Sequence, residues 1–372
     1  MLKKSLLVAG LAAALLGGPA AAEEIRISPA APPAHPANGT LYTNFMKYLP
    51  EESGGRLTAT MLGPEVVKLL DMKDALQSQV TQVGNFLPLY FPSDLPNTSL
   101  AGDLALSGRN PQAMASALTE YVVNCADCQA EYKKMGTAFF GAGSSDVYLL
   151  MTTKPVKSLD DLKGLRLRSG GAPWSRWAEA VGATPVNISV FEVFEAMSQG
   201  TIDGTMASIF DLLAFRLIEL VKDATTLELG TYHTTSNFTA ALPLWQSLSV
   251  EDRKAFVRAA NRANADFTDK WGFQNPKIAH AKAKEAGITY IDPDAAMVSF
   301  TEQFIKDDLP VAAKVSEEKF GVKNAEEKLK TYRALVEKWT KIAEANGNDP
   351  VKIAAEVQKE VWDKIDYATY GM

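Results

Sequence analysis

The chain contains few of the residues that usually carry metal chemistry. Its 372 residues include only two cysteines and three histidines. A structural zinc site needs about four ligands drawn largely from these residue types. A metal site is therefore the least favoured interpretation of the cysteines, and we predict no metal and no cofactor.

The two cysteines, Cys125 and Cys128, stand close together in the segment NCADCQAEY. In an exported protein such a pair is free to oxidise, and a local disulfide or a pair of small buried residues is the interpretation we favour. A thioredoxin-like redox site would require a βαβ setting and a cis-proline partner. Neither can be located in the sequence.

Motifs of the common enzyme classes are also missing. The sequence has no G-x-S-x-G, no H-E-x-x-H, no Walker loop and no G-x-G-x-x-G after a predicted strand. Glu192 and Glu195 share a helix face, but neither has a partner base. We predict no catalytic residue and no enzymatic activity. The net charge of −6, without clusters of Lys or Arg, argues against a nucleic-acid partner.

Long apolar runs are confined to the beginning of the chain. Lys3 and Lys4 precede an apolar stretch at 6–16, and small residues at 20–22 precede Glu23. This is the pattern of a secretory signal peptide, here Met1 to Ala22, and the apolar stretch is too short to span a bilayer. We therefore expect a periplasmic protein.

The remainder of the chain is long and apolar enough for two packed domains. Apolar residues make up 47% of the sequence, and single cores stop growing at roughly 250–300 residues. Predicted strands alternate with helices, which indicates α/β lobes with mainly parallel sheets. The predicted elements include strands at 24–28, 57–62, 81–86, 225–229 and 240–245, and a helix at 66–79. The predicted segments are a signal peptide at 1–22, lobe I at 23–147 and 233–273, lobe II at 148–232, and lobe II with C-terminal spanning helices at 274–372.

Arg168 lies at the end of a short alternating segment that is typical of a strand. Ser169, Gly170 and Gly171 follow it, and Pro173 then suits the first turn of a helix. The unpaired N–H groups of such a helix and the fixed charge of an arginine together favour a small anion. Because the guanidinium donates two parallel hydrogen bonds, a carboxylate is the expected ligand group.

The same region carries a family resemblance. The segments LKGLRLR, VGATPV and EVFEAMSQGTIDG occur in this order, and they resemble the central signature of the solute-binding proteins of TRAP transporters, the DctP-like family. The resemblance implies a two-lobed periplasmic binding protein fold with a long C-terminal helix linking the lobes. It also implies that Arg168 binds the carboxylate of a ligand and that a TRAP permease, with one small and one large membrane subunit, receives it.

Further ligand contacts are expected at strand ends and after the Asp203-Gly204 turn, although core packing or capping explains several of these residues equally well. The candidates are His35, Asn85, Tyr90, Tyr148, Trp174, Asn187, Met206, Ser208, Phe210 and His233. Some members of the family carry a second arginine in the segment that here reads GAGSSDVYLLMTTKPV and contains none. That departure favours a monocarboxylate over a dicarboxylate.

The sequence thus predicts a periplasmic receptor, monomeric by default, that captures a small organic acid for a TRAP permease. Two alternatives remain open from the sequence. One is a periplasmic redox or enzymatic protein that uses Cys125 and Cys128. The other is a binding protein that serves an ABC importer or a sensor.

Overall fold

The computed structural model describes residues 23–372. The predicted signal peptide, Met1 to Ala22, lies outside the described residues. Within residues 23–372, none of the helices combines the length and the apolar character that crossing a membrane requires.

Strands and helices alternate along most of the described chain. The strands are β1 (Glu23–Ser28), β2 (Leu57–Met61), β3 (Val83–Phe86), β4 (Thr137–Phe139), β5 (Leu149–Thr152), β6 (Arg166–Ser169), β7 (Thr184–Asn187), β8 (Gly204–Ala207), β9 (Asp223–Thr225), β10 (Ser236–Ala241) and β11 (Thr289–Ile291). The α-helices are α1 (Thr43–Ser53), α2 (Met72–Gln77), α3 (Pro96–Leu100), α4 (Pro111–Asn124), α5 (Ala126–Lys134), α6 (Leu159–Leu162), α7 (Ala172–Ala180), α8 (Val193–Ser198), α9 (Asp211–Ala214), α10 (Leu242–Ser247), α11 (Val250–Asp269), α12 (Asn275–Glu285), α13 (Ala295–Phe320), α14 (Ala325–Ala345) and α15 (Pro350–Glu360).

The strands form two separate sheets, one in each lobe. The first sheet has the order β2-β1-β3-β10-β4 and the second the order β11-β9-β5-β8-β6-β7. In the first, β1 pairs in parallel with β2 and β3, while β10 runs antiparallel to both of its neighbours. In the second, β5 runs antiparallel to β8 and β9, and the other pairs are parallel. The predicted two-lobed α/β fold is thereby confirmed.

Two neighbouring segments carry the chain between the sheets. One leads from β4 to β5 and the other returns from β9 to β10. Backbone hydrogen bonds join them, with Tyr148 N–H donating to the Gly230 carbonyl (2.6 Å) and Ser145 N–H donating to the Tyr232 carbonyl (2.9 Å). The lobes therefore share a strand-like connection on which they can hinge.

The C-terminal helices hold the lobes together from outside. The 26-residue helix α13 contacts α7 in the second lobe and α3 in the first. Helices α14 and α15 pack on α4 and α11. These two helices therefore cover the first lobe.

An ion cluster also bridges the lobes. Arg176 on α7 donates to Asp308 on α13 through Nε and Nη2, both at 2.7 Å, and to Asp103 of the first lobe through Nη2 at 2.7 Å. All three side chains are at most 17% exposed. Burial raises the pKa of the Asp103 carboxyl, and the Arg176 charge opposes that rise. The guanidinium therefore offsets a carboxyl that would otherwise be costly to bury as an anion.

Three predicted elements differ from the structure for local reasons. The helix predicted at 66–79 is α-helical only over Met72–Gln77, because Lys68 has an extended backbone. The strand predicted at 225–229 ends at Thr225, where the connection between the lobes begins. The strand predicted at 240–245 is interrupted: β10 ends at Ala241 and α10 begins at Leu242, since Pro243 lacks the N–H that a strand would use and fits the first turn of a helix.

Candidate functional site

A cavity lies between the lobes, beyond the carboxyl ends of β1, β3, β6 and β8. In α/β sheets this edge is the usual place for a ligand. The cavity contains about 560 Å³ of space free of protein atoms, part of it open to solvent. Side chains of both lobes line it: Ala30, Ala31, His35, Leu69, Asn85, Leu87, Tyr90, Tyr148, Arg168, Val190, Phe191, Asp211, Phe215, Tyr232, Thr235, Asn237, Phe267 and Trp271.

Arg168 supplies the cation of this cavity. It lies near the end of β6, between β7 and β8, and only 2% of it is exposed. Its Nε donates to the Ile188 carbonyl (3.2 Å) and its Nη2 donates to the Tyr90 hydroxyl (2.7 Å) of the opposite lobe. Within residues 23–372 it forms no ion pair with a carboxylate. The Tyr90 oxygen accepts from Arg168, which leaves the hydroxyl proton of Tyr90 available to a ligand.

The neighbouring arginine on the same strand has a different role. Arg166 is held by Asp203 through two charge-assisted hydrogen bonds, Nε to Oδ2 at 2.9 Å and Nη2 to Oδ1 at 2.8 Å. Neither residue lines the cavity. The residues of the glycine turn, Gly170 and Gly171, do not line it either. The cavity thus presents the Arg168 guanidinium, and the expected contribution from the helix N-terminus is not seen.

Two buried carboxyls, Asp211 near Arg168 and Asp146 near Asp211, are difficult to ionise. Burial raises the pKa of Asp211 to about 7, with the Arg168 charge opposing the rise. Burial, together with the charge of Asp211, raises the pKa of Asp146 to about 8, although a hydrogen bond from Ser208 opposes the rise. Because Asp211 is partly neutral near pH 7, the positive charge of Arg168 is incompletely balanced. The site therefore favours an anion.

His35 adds no second positive charge. It lines the cavity, but burial lowers its pKa to about 3. Its Nδ1 accepts a hydrogen bond from the Ala37 N–H (3.1 Å), which is possible only for an unprotonated nitrogen. The ring packs against Trp271 and Phe215, with centroids 5.2 and 5.8 Å away. His35 is thus part of a largely aromatic wall.

The chain resembles known proteins at the level of protein family, of individual sequences and of fold. The model described as DctP, bacterial extracellular solute-binding protein, family 7, matches residues 27–319. The chain belongs to the DctP family.

Individual relatives of this DctP-family chain are distant. A solute-binding protein of Albidiferax ferrireducens is 27% identical over 175 residues, which is 46% of this chain and 48% of that protein. The chain thus matches about half the length of this curated relative.

Solved structures resemble the fold closely. A TRAP periplasmic solute-binding protein of Bordetella bronchiseptica, with bound (R)- and (S)-mandelate, has a TM-score of 0.74 at 22% identity. That match covers 85% of this chain and 99% of the other. A TRAP solute-binding protein of Rhodoferax ferrireducens, in complex with benzoate, has a TM-score of 0.73 at 19% identity. It covers 86% of this chain and 99% of the other.

Five residues predicted as ligand contacts of this DctP-family protein line the cavity together. They are His35, Asn85, Tyr90, Tyr148 and Arg168. Asn85 and Arg168 lie near the carboxyl ends of β3 and β6, and Tyr90 lies shortly after β3. Strand ends are the positions that a sequence pattern can identify as ligand-binding.

Three other predicted residues belong to the packed interior. Trp174 donates its Nε1–H to the Leu229 carbonyl (2.9 Å), and its ring stacks on Tyr232 at 5.9 Å, behind the cavity wall. Met206 is fully buried on β8. Phe210 packs in the core of the second lobe. Their apolar surfaces are used in packing, so none of the three lines the cavity.

The remaining three predicted residues also lie away from the cavity. Asn187 is exposed at the end of the edge strand β7. The Ser208 hydroxyl accepts from the Phe210 N–H (3.1 Å). His233 lies 3.3 Å from the Ala101 carbonyl through Nε2, stacks on Tyr332, and has its pKa lowered to about 4 by burial. The Ser208 and His233 side chains have local structural roles instead.

The predicted cysteine pair forms a disulfide. Cys125 and Cys128 are bonded at the junction of α4 and α5, and neither lines the cavity. Among residues 23–372, no group of three or more His, Cys, Asp and Glu side chains could hold a metal ion.

Several lining residues were not predicted. Phe215, Phe267 and Trp271 supply much of the aromatic surface. Phe267 and Trp271 belong to the end of α11 and the turn after it, where their helical spacing matches that of core residues. No local signal distinguishes them. Asp211 follows β8 closely, so the rule that ligands bind beyond strand ends could have identified it.

Proposed function

We propose that this protein is the periplasmic receptor of a TRAP-type transporter and that it captures a small organic monocarboxylate. The observation that carries the proposal is Arg168, a buried cation that faces the interlobe cavity and has no carboxylate partner within residues 23–372. A ligand carboxylate would provide that partner through charge-assisted hydrogen bonds. Met1 to Ala22 would direct export, and a small and a large permease subunit would receive the ligand from the monomer.

A single charge and an apolar body describe the expected ligand. Arg168 is the one Arg or Lys among the cavity residues, and His35 is neutral at pH 7. A second ligand carboxylate would therefore lack a cation. Phe191, Phe215 and Trp271 offer aromatic surface to the rest of the ligand. The mandelate and benzoate bound by the two similar proteins fit this description.

The other functions considered from the sequence have less support. The family comprises solute-binding receptors, and the structural neighbours described above are TRAP proteins rather than partners of an ABC importer. A redox function would need accessible thiols near a substrate site. Cys125 and Cys128 lie outside the cavity and are already bonded to each other.

A thermal-shift screen with matched acids and amides tests the proposal. A ligand that binds the native state stabilises it and so raises the melting temperature. At a ligand concentration of 100 times Kd, the added stability is about 2.7 kcal/mol. We expect benzoate, phenylacetate or mandelate to raise it, and the corresponding neutral amides to leave it unchanged. The amide keeps the shape of the acid and removes only the charge. If no carboxylate shifts the melting temperature, or if the amides shift it equally, the proposal is wrong.

A further inference from the structure

The first-lobe side of the cavity contains two hydrogen-bond acceptors that have no donor. Asn85 lies on β3 and Asn237 lies on the neighbouring strand β10, where the pairing register shifts between Ser236 and Thr239. Both residues line the cavity and are at most 6% exposed. The Oδ1 atoms of both are buried and unpartnered within residues 23–372. Buried polar atoms are normally hydrogen-bonded, so each such oxygen needs an explanation.

The orientation of both amides follows from their neighbours. The Nδ2 of Asn85 donates to the Pro29 carbonyl (3.3 Å). The Nδ2 of Asn237 donates to Asn264 Oδ1 (2.7 Å), and Asn264 is itself oriented by its own donation to the Phe140 carbonyl (3.2 Å). Exchanging nitrogen and oxygen in either amide would place two acceptors face to face. The oxygen is therefore the free end of both side chains.

One donor on the first-lobe side of the same cavity is also free. Trp271 lines the cavity, and its Nε1 is buried without a partner within residues 23–372. A hydroxyl group can donate one hydrogen bond and accept others. A ligand hydroxyl could therefore donate to an amide oxygen and accept from the indole N–H. An apolar ligand body can form neither hydrogen bond. The cation for the carboxylate comes from the second lobe, whereas these groups come from the first.

We infer that the cavity selects carboxylates that carry a second, hydrogen-bond-donating group, a hydroxyl or an N–H, over analogues that lack it. Asn85 and Asn237 are the specificity-determining residues, and the inference rests on the proposed function. An acid without the donor would leave their oxygens buried and unpaired. Sites built around a ligand hydroxyl reject the analogue that lacks it much more strongly than apolar pockets reject an added hydroxyl.

Calorimetry on the purified protein with matched pairs of acids tests the inference. The pairs are mandelate with phenylacetate, 3-hydroxybenzoate with benzoate, and pyroglutamate with cyclopentanecarboxylate. For the pair whose donor-bearing member binds most tightly, we expect a preference of about 10- to 100-fold over its analogue. If the donor-free acids all bind within threefold of their partners, the inference is overturned while the proposed function stands. If no acid binds, the proposed function fails first.

Variants assign the preference to the two amides. Asn85→Leu and Asn237→Leu remove the acceptors at similar volume and should reduce the preference to threefold or less. Asn261→Leu is the matched control, because Asn261 is a buried first-lobe amide that donates to the Ala354 carbonyl (2.7 Å) and does not line the cavity. An unchanged preference in both folded leucine variants overturns the assignment. If neither folds, the wild-type pairs alone decide the inference.

Discussion

A buried arginine without a carboxylate in an ion pair is costly to desolvate, and Arg168 is such a residue within residues 23–372. We expect Arg168→Ala to weaken binding of the preferred carboxylate by about 2–5 kcal/mol, because the ligand charge would lie unpaired between the lobes. Isothermal titration calorimetry measures the loss. Arg166→Ala is the matched control, since Arg166 shares the strand but pairs with Asp203 outside the cavity. Equal affinity in wild type and Arg168→Ala would remove the basis of the proposed function.

The same site should show a characteristic dependence of stability on pH. Burial raises the pKa of Asp211 to about 7 in the folded protein, whereas in the unfolded chain it is about 3.9. Between these values the folded state binds more protons than the unfolded state, so this contribution to stability falls as pH rises from about 4 to about 7. The stability gained by Asp211→Asn over wild type should therefore grow across that range and level off above about pH 7. Thermal melts without ligand test this, and a gap that shrinks with rising pH contradicts it.

Residues near strand ends could be predicted from the sequence, and residues on long helices could not. Arg168 ends an alternating segment before a glycine turn, and those two signals together place it at the ligand-binding edge of a sheet. Trp174 follows the same turn, but helical spacing does not say whether a ring faces the core or a cavity. Trp271 enters the site from an element about 100 residues further along. Only tertiary packing brings it there.

At the scale of elements, one arginine links α7 by ion pairs to both the first lobe and α13. Arg176 joins Asp103 of the first lobe and Asp308 of α13. We expect Arg176→Met to lower the free energy of unfolding by about 3–5 kcal/mol, because two carboxyls would remain buried without a cation. Urea unfolding provides the measurement.

The control is to neutralise the two aspartates of the same cluster, which tests whether their unpaired charges cause the loss of stability. Asp103→Asn and Asp308→Asn, added to Arg176→Met, should recover a large part of the loss, because the uncompensated charges are removed. Arg166→Met should cost less than Arg176→Met, since its partner Asp203 lies nearer the solvent. If Arg176→Met and Arg166→Met destabilise the protein equally, the buried cluster contributes no more to stability than the more exposed Arg166–Asp203 pair.

The connections between the lobes show where element prediction from sequence reaches its limit. The alternating residues at 225–229 fit a strand, yet the structure uses only Asp223–Thr225 in the sheet. The rest pairs across to the other connection, with Leu229 N–H donating to the Tyr148 carbonyl (3.0 Å). Strands and connecting segments have the same extended backbone, so a local pattern cannot separate them. The order of the strands in two sheets depends on contacts that lie far apart in the chain.

At the scale of the whole molecule, the ligand-binding groups of the site come from both lobes. Arg168 belongs to the second lobe, while Tyr90, Asn85 and Asn237 belong to the first. A ligand that contacts both sets binds only when the lobes are together, so it shifts the population toward the closed form by its differential affinity. Changing a 1:99 ratio into 99:1 requires about 10⁴-fold tighter binding to the closed form. One ion pair and a few buried hydrogen bonds are of that order.

Small-angle X-ray scattering can therefore follow closure directly. We expect the radius of gyration of the wild-type protein to decrease when its preferred acid is added in excess, because the lobes approach each other across the cavity. Arg168→Ala at the same ligand concentration should keep its ligand-free radius. Arg176→Met should show a larger ligand-free radius than wild type, since a link between the lobes is lost. Scattering profiles that superimpose with and without ligand, while calorimetry shows saturation, would mean that binding does not couple to closure.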